Sequence, residues 1–185
     1  ILRNTLASFE ELEGLNPEIW AKSEWSEINQ TLEKGQLHYR TKRYESASKD
    51  FLKVTDDIKI LIEKAPSVIE NLVAIGDLAL QTNNSAEAQQ TFRRILKIQP
   101  KHTYAKHGLG RALKLDKVSS LIAQGISFEE MNRLEAAKKA FLEAARLDPE
   151  STQANAAIKR LEVPEKEKKY LTLLSLGYQK LNERE

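Results

Sequence analysis

Histidine is the residue type in this chain best suited to bind a metal or carry a proton, and it occurs at positions 38, 102 and 107. His102 and His107 are five residues apart, and residues at that spacing do not share a face of an α-helix. No cysteine accompanies them, whereas zinc sites are built from several converging His and Cys ligands. The sequence therefore predicts no metal site.

Paired carboxylates, as Asp56-Asp57 and Glu129-Glu130, are the second candidate for chemistry. Both pairs lie in segments of helical periodicity, on surfaces that we expect to face solvent rather than a catalytic cleft. No Gly-x-Ser-x-Gly turn is present to expose a nucleophilic serine. The glycines of residues 107–111 (H-G-L-G-R) lie inside a helical pattern, not in a phosphate-binding loop. We predict no catalytic residue, no cofactor and no enzyme activity.

A basic stretch between residues 93 and 117 is the sharper signal, because eight positive side chains there are opposed by Asp116 alone. The predicted basic patch consists of Arg93, Arg94, Lys97, Lys101, Lys106, Lys114 and Lys117. Such a surface suits an acidic peptide, a phosphate backbone or an anionic lipid. The alternative is a solvated face balanced by acidic helix segments such as residues 129–135. Nucleic acid is the weaker choice, because no aromatic stacking platform interleaves the basic residues.

Composition predicts the elements that must position these residues. The chain has 185 residues, 41% of them hydrophobic and 30% charged, with seven Gly and five Pro. Abundant Ala, Leu, Glu, Lys and Gln favour an all-α fold. No apolar run approaches the length of a membrane-spanning helix. The net charge of +2 argues against a general attraction to nucleic acid or membranes.

The sequence does not decide the cellular compartment of the protein. The absence of cysteine fits both reducing and oxidising surroundings. Because the chain starts with Ile1, we expect a fragment of a larger protein. The alternatives are therefore a cytoplasmic location or, if an anchor or signal precedes residue 1, a periplasmic or membrane-associated one.

A recurring trio of residues organises the chain. Gly76, Ala88 and Phe92 sit on two amphipathic segments joined by a polar turn, and Pro100 ends the unit. The same trio stands 41 residues earlier, at positions 35, 47 and 51, and 49 residues later, at positions 125, 137 and 141. Small residues let two helices approach closely, and phenylalanine fills the space beside them.

This pattern resembles the tetratricopeptide repeat (TPR), whose period is about 34 residues. The resemblance implies antiparallel helix pairs stacked in a right-handed superhelix, here with extended or additional helices. We predict repeats at about 26–64, 67–100, 103–149 and, truncated, 151–183. Residues 1–25 would form a linker and an N-terminal cap, in which Trp20 and Trp25 either anchor the first groove or simply pack in the core.

Prolines and small polar residues give the expected helix boundaries. The first repeat should end near Lys64, before Ala65-Pro66, and Ser67 should cap the next helix. Asn16-Pro17 should open a short helix, and Ser85 should cap the second helix of the regular unit. Residues 103–131 form either one bent helix or two, with a break expected at 115–119. The last copy should split into helices 151–161 and 165–182 around Pro164.

The resemblance also implies a concave groove lined by the first helix of each pair. The groove positions that it implies are Leu32, Gln36, Tyr39, Val73, Asp77, Leu80, Tyr104, His107, Arg111, Ile122, Ile126, Leu174 and Tyr178. Their mixed character suits a helix or an extended peptide. Alternatively, several of them belong to the core if the extra helices fill the groove.

We therefore expect a non-catalytic scaffold that binds a protein or peptide, and an acidic one would suit the basic patch. The alternative is a structural or oligomerisation module of a larger membrane-anchored or multi-domain protein. Self-association would then use an uncovered apolar face formed by Leu173, Leu176 and Leu181.

Overall fold

The computed structural model describes the backbone of residues 2–182 and the side chains of residues 5–162 and 170–176. Over that range the chain forms eight α-helices and one short 3-10 helix, with no strand, which confirms the predicted all-α fold. The helices are α1 (Leu2–Glu13), a 3-10 helix (Pro17–Ile19), α2 (Lys22–Arg40), α3 (Tyr44–Gln81), α4 (Ser85–Ile98), α5 (Thr103–Ala112), α6 (Leu115–Glu130), α7 (Leu134–Leu147) and α8 (Thr152–Asn182). They divide into two compact units, Ile1–Ala112 and Leu113–Glu185.

The first unit is built around α3. Helix α2 packs on its first half, α4 packs on its second half, and α5 packs in turn on α4. Helix α1 also lies against α3, where the hydroxyls of Thr5 and Thr55 are 2.9 Å apart. In the second unit, α7 packs against α6 and against α8.

Helix α3 runs unbroken through Pro66, so the predicted helix end at Lys64 is wrong. Pro66 has no N–H to donate to the Ile62 carbonyl, which removes one helical hydrogen bond. The buried positions nevertheless continue at spacings of three and four on both sides of the proline, at 58, 61, 65, 69, 72, 76 and 79. Burial along this stripe outweighs one lost bond. The Ser67 hydroxyl donates to the Lys64 carbonyl (2.8 Å) within the helix and does not cap a new one.

The N-terminal segment folds differently from the expectation at Asn16. Asn16 has a left-handed backbone (φ 50°) and makes no side-chain cap, and the helix that follows is a single 3-10 turn. The two tryptophans pack with the core of the first unit. The Trp25 ring lies 4.7 Å from that of Phe9, and the Trp20 indole N–H donates to the Leu15 carbonyl (2.9 Å).

The turn within each helix pair has one repeated geometry. Lys42, Asn83 and Asn132 adopt left-handed φ values of 61°, 56° and 57°, and they are spaced 41 and 49 residues apart like the Gly-Ala-Phe trio. In each turn the next N–H donates back to a carbonyl five residues earlier, at 2.8 Å, which closes the end of the helix. Asn84, not Ser85, caps α4, because its side chain accepts from the Glu87 N–H (3.2 Å).

Two further boundaries are decided by the structure. Residues 103–131 form two helices that end and begin around Leu113-Lys114, just before the expected break. Helix α8 is continuous across Pro164, so the predicted split there is wrong. A proline φ is compatible with a helix, and the Glu, Lys and Leu residues that follow are strong helix formers.

Candidate functional site

The glycine–phenylalanine contacts hold each helix pair together. A Cβ built on Gly76 would lie 2.7 Å from the Phe92 ring, and one on Gly108 would lie 2.5 Å from the same ring. Phe92 is therefore held between α3 and α5. Phe141 meets Gly125 in the same way (2.5 Å), and Phe51 meets Gly35 (2.9 Å). Because only glycine leaves room for these rings, the trio fixes how closely the paired helices approach.

Packing around Phe92 brings together two predicted groove residues from different helices. The Tyr104 hydroxyl on α5 lies 3.0 Å and 2.9 Å from the two carboxylate oxygens of Asp77 on α3, and it donates to them. Tyr104 is exposed and Asp77 is half-buried. Val73 stands one turn before Asp77, and His107 and Arg111 follow Tyr104 at helical spacing on α5. We call Val73, Asp77, Tyr104, His107 and Arg111 the α3–α5 face.

The α3–α5 face is chemically mixed. Val73 and the Tyr104 ring offer apolar surface, Asp77 is an acceptor, and His107 and Arg111 add donors. His107 is exposed and Arg111 is half-buried. Both make polar or electrostatic contacts within the protein.

Other predicted groove residues are placed differently. Leu32 and Ile122 belong to the apolar cores of their units, and Leu80 is also buried. Their burial corrects the expectation that a partner could reach them: neighbouring helices cover these side chains. Gln36 and Tyr39 are exposed on α2, and the Tyr39 ring stands edge-on to Tyr44 at 5.6 Å. In the second unit Ile126 and Leu174 are exposed, whereas the side chain of Tyr178 lies outside the described residues.

The basic patch is exposed throughout, but several of its members serve the fold. The Arg94 guanidinium donates to the Ile19 carbonyl (2.9 Å), and Arg93 donates to the Gln89 side chain (3.1 Å). Lys114 reaches the Leu147 carbonyl at 3.4 Å. The patch is also divided, since residues 93–106 belong to the first unit and Lys114 and Lys117 to the second. Binding of an acidic partner by the patch stays a prediction.

The N-terminal segment is tied to α4 by contacts that could not be predicted from the sequence. The Asn16 amide donates to the Lys97 carbonyl (2.6 Å), and Arg94 bonds Ile19 as described above. These partners are 81 and 75 residues apart in sequence. Local periodicity carries no signal for pairs at that separation.

A cleft of about 160 Å³ between α2 and α3 is lined by charged pairs. Lys64 donates to Glu24 (2.9 Å), and this bond holds the pKa of the Glu24 carboxyl below its ordinary value. Lys53 donates to Asp57 (2.6 Å), which raises the pKa of the lysine. Each charge lies beside its opposite, an arrangement typical of a structural ion pair.

The described residues contain no cluster of three or more His, Asp or Glu side chains that could hold a metal ion. Within the same part of the chain, none of the helices is both long and apolar enough to cross a membrane.

The repeated helix pairs, their glycine–phenylalanine contacts and the partly exposed α3–α5 face define an all-α repeat protein of the scaffold class. A family model described as "Tetratricopeptide repeat" matches residues 69–102 and 118–151. These segments run from the second half of α3 through α4 and from α6 through α7, and they support the assignment to the tetratricopeptide repeat family that the sequence predicted. Comparison with curated proteins and with solved structures finds no significant match.

Proposed function

We propose that the first unit binds a segment of a partner protein on the α3–α5 face. The repeats form a helical scaffold of a kind typical of protein–protein interaction. The binding site and its ligand are what we propose. The Tyr104–Asp77 hydrogen bond carries it, because it joins two predicted groove positions, on different helices, at a partly exposed surface.

The chemistry of the face indicates the kind of ligand. Val73 and Tyr104 can cover an apolar side chain of the ligand, while the Asp77 carboxylate retains lone pairs beyond the two contacts made by Tyr104. A short amphipathic helix or extended peptide presents that combination of groups. Tyrosine contributes large contact area at a low entropic cost, as at other interfaces.

A position-specific crosslink tests this proposal. A photoreactive p-benzoylphenylalanine is placed at residue 104, and at the exposed residue 90 of α4 as the matched control. The two proteins are irradiated in extract from the source cells. We expect a discrete adduct from position 104 that is absent from position 90.

A second change makes the crosslink result decisive. Combining Val73→Glu with Asp77→Lys on the crosslinking protein should reduce the adduct at least about tenfold, because it places a charge on the apolar site and reverses the charge of the acceptor. An adduct that survives both changes, or that forms equally from position 90, would show that the α3–α5 face is not the binding site.

A further inference from the structure

The turn between α2 and α3 differs in charge from the two other turns that share its geometry. We call residues 39–44 (Y-R-T-K-R-Y) turn 1, residues 80–85 (L-Q-T-N-N-S) turn 2 and residues 129–134 (E-E-M-N-R-L) turn 3. Turn 1 has three basic residues and no acidic one, turn 2 has no charged residue, and turn 3 has two glutamates and one arginine. The geometry of the turn therefore does not require the positive charge of turn 1.

Lys42 occupies a backbone position that suits asparagine better than lysine. Its φ of 61° is left-handed, and the equivalent positions of turns 2 and 3 hold Asn83 (56°) and Asn132 (57°). Asparagine tolerates this conformation because its short polar side chain can bond to the nearby backbone, which a lysine side chain does not do. Turn 1 thus carries a positive charge where the fold alone favours asparagine, and this points to a function for the charge.

The basic residues of turn 1 are accessible to an external anion. Residues 39–45 are all exposed, so no other described element packs over the turn. Within the described part of the chain, the three basic side chains form no ion pair, and the adjacent Glu45 is paired with Lys49 (2.8 Å). Arg40 donates only to the Gln36 carbonyl, at 3.4 Å. A cluster of such cations on an exposed turn attracts anionic groups.

Two tyrosines flank these cations and indicate the kind of anion. Tyr39 and Tyr44 are 53% and 59% exposed, and their rings meet edge to face at 5.6 Å. Tyrosine, with an apolar ring and a polar hydroxyl, is enriched where proteins meet the headgroup level of a membrane. Stacked bases need ring faces that lie side by side, which the 69° angle between these rings does not provide. The exposed turn also projects from the helix pair and forms no groove for a peptide.

We propose that turn 1 binds the surface of an anionic membrane. Arg40, Lys42 and Arg43 bind the lipid headgroups, and the rings of Tyr39 and Tyr44 lie at headgroup level. The turn lies on the membrane, so no helix needs to cross it. Because the net charge of the chain is only +2, the attraction depends on this local cluster. The site lies at the end of α2 and α3 and does not depend on the α3–α5 face.

Vesicle sedimentation with the full chain tests the proposal. The probes are vesicles of phosphatidylcholine alone and vesicles in which about 30% of the lipid is phosphatidylserine, both at low ionic strength. One cation near an anionic surface raises the affinity about fivefold, so three cations predict a preference for the anionic vesicles on the order of 100-fold. Added salt should reduce this preference.

Exchanging the turn sequences locates the site. The variant takes the residues of turn 2 at the same offset of 41, as Arg40→Gln, Lys42→Asn and Arg43→Asn. It should lose the preference for anionic vesicles but melt at no lower temperature than the wild type, because asparagine suits the left-handed position. The matched control removes three charges from the basic patch, as Lys97→Gln, Lys101→Gln and Lys106→Gln. It should keep the preference within about threefold of the wild type, because these charges do not lie in turn 1.

Two single substitutions separate the contributions of charge and ring. Arg40→Gln alone should lower the preference about fivefold. Tyr44→Ser, which places the serine of turn 2 at this position, should weaken binding without changing its salt dependence, because it removes apolar area and no charge.

Several outcomes would overturn the proposal. Equal binding to the two kinds of vesicle would show that turn 1 does not recognise anionic lipid. A preference that survives in the folded turn variant, or that the basic-patch control loses equally, would place the site elsewhere. Binding of polyglutamate or of an oligonucleotide that the turn variant loses, without vesicle binding, would assign the turn to an acidic protein or to nucleic acid. A dimer in light scattering that the turn variant dissociates, again without vesicle binding, would assign it to a second copy of this chain.

Discussion

Helices α3 and α8 are the two longest in the described chain, and each crosses a proline. Along α3 the apolar stripe is buried from Ala47 to Ala79, because α2 and α4 cover successive halves. Along α8, Ala154 and Ala157 pack beneath α7, whereas the described side chains of residues 170–176 are exposed. The difference shows that an apolar segment of this protein forms a helix whether or not another helix covers it. Such a segment contributes to the stability of the core only where another helix covers it.

The largest effect should come from removing the ring that closes α3 and α5. We expect Phe92→Ala to lower the free energy of unfolding by about 3–5 kcal/mol, because Phe92 is fully buried between two glycines. Leu173→Ala, at an exposed leucine of α8, should change this free energy by less than about 0.5 kcal/mol. Urea denaturation followed by circular dichroism measures both. Similar losses for the two variants would contradict the comparison.

A smaller effect should come from substitution of Gly76, which contacts the Phe92 ring. Gly76→Ala places a Cβ 2.7 Å from Phe92, and overpacking costs about 1–3 kcal/mol, offset in part by the better helix propensity of alanine. We expect a net loss of about 1–2 kcal/mol. Gly110→Ala is the control, because a Cβ there meets nothing within 4 Å, and it should stabilise α5 by about 0.5–1 kcal/mol. Thermal melts of the two variants should therefore shift in opposite directions.

The smallest effect should come from the ion pair that ties α2 to the middle of α3. The pKa of Glu24 is lowered by Lys64 in the folded protein, so the pair adds stability above the unfolded pKa of Glu24. That stability is lost as the pH falls through the lower, folded pKa. Because both side chains are about half exposed, the pair is worth less than about 1 kcal/mol.

Glu24→Gln measures this contribution. The variant should be slightly less stable than the wild type at pH 7, and the difference should vanish at a pH below the pKa of Glu24. Denaturant midpoints across that pH range report the difference. A gap that stays constant with pH would mean that Glu24 acts through packing rather than charge.

The recurrence of one residue pattern explains which parts of the fold could be predicted from the sequence. The trio of Gly76, Ala88 and Phe92 appears three times at matched offsets, so the helix pairs and their core contacts follow from spacing alone. Asp77 and Tyr104 were both predicted groove positions, and a hydrogen bond joins them; their role in binding stays a prediction.

The helix ends that were predicted from two of the prolines were wrong. At Pro66 the sequence predicted a break, since proline removes a helical hydrogen bond, but the buried stripe continues in register through Ala65 and Ile69. Leu32 and Ile122 were predicted to line a groove, yet neighbouring helices cover them. Such cover depends on distant parts of the chain, as does the bond between Asn16 and Lys97. Periodicity within one segment carries no information about either.

The unbroken α3 has a consequence for how the first unit unfolds. In a repeat array with flexible joints, an end repeat can melt while its neighbour stays folded. Here one rigid rod supplies the second helix of one pair and the first helix of the next, so no loop separates the two pairs. Opening either pair exposes part of the same continuous stripe, and the two should gain and lose structure together as one cooperative block.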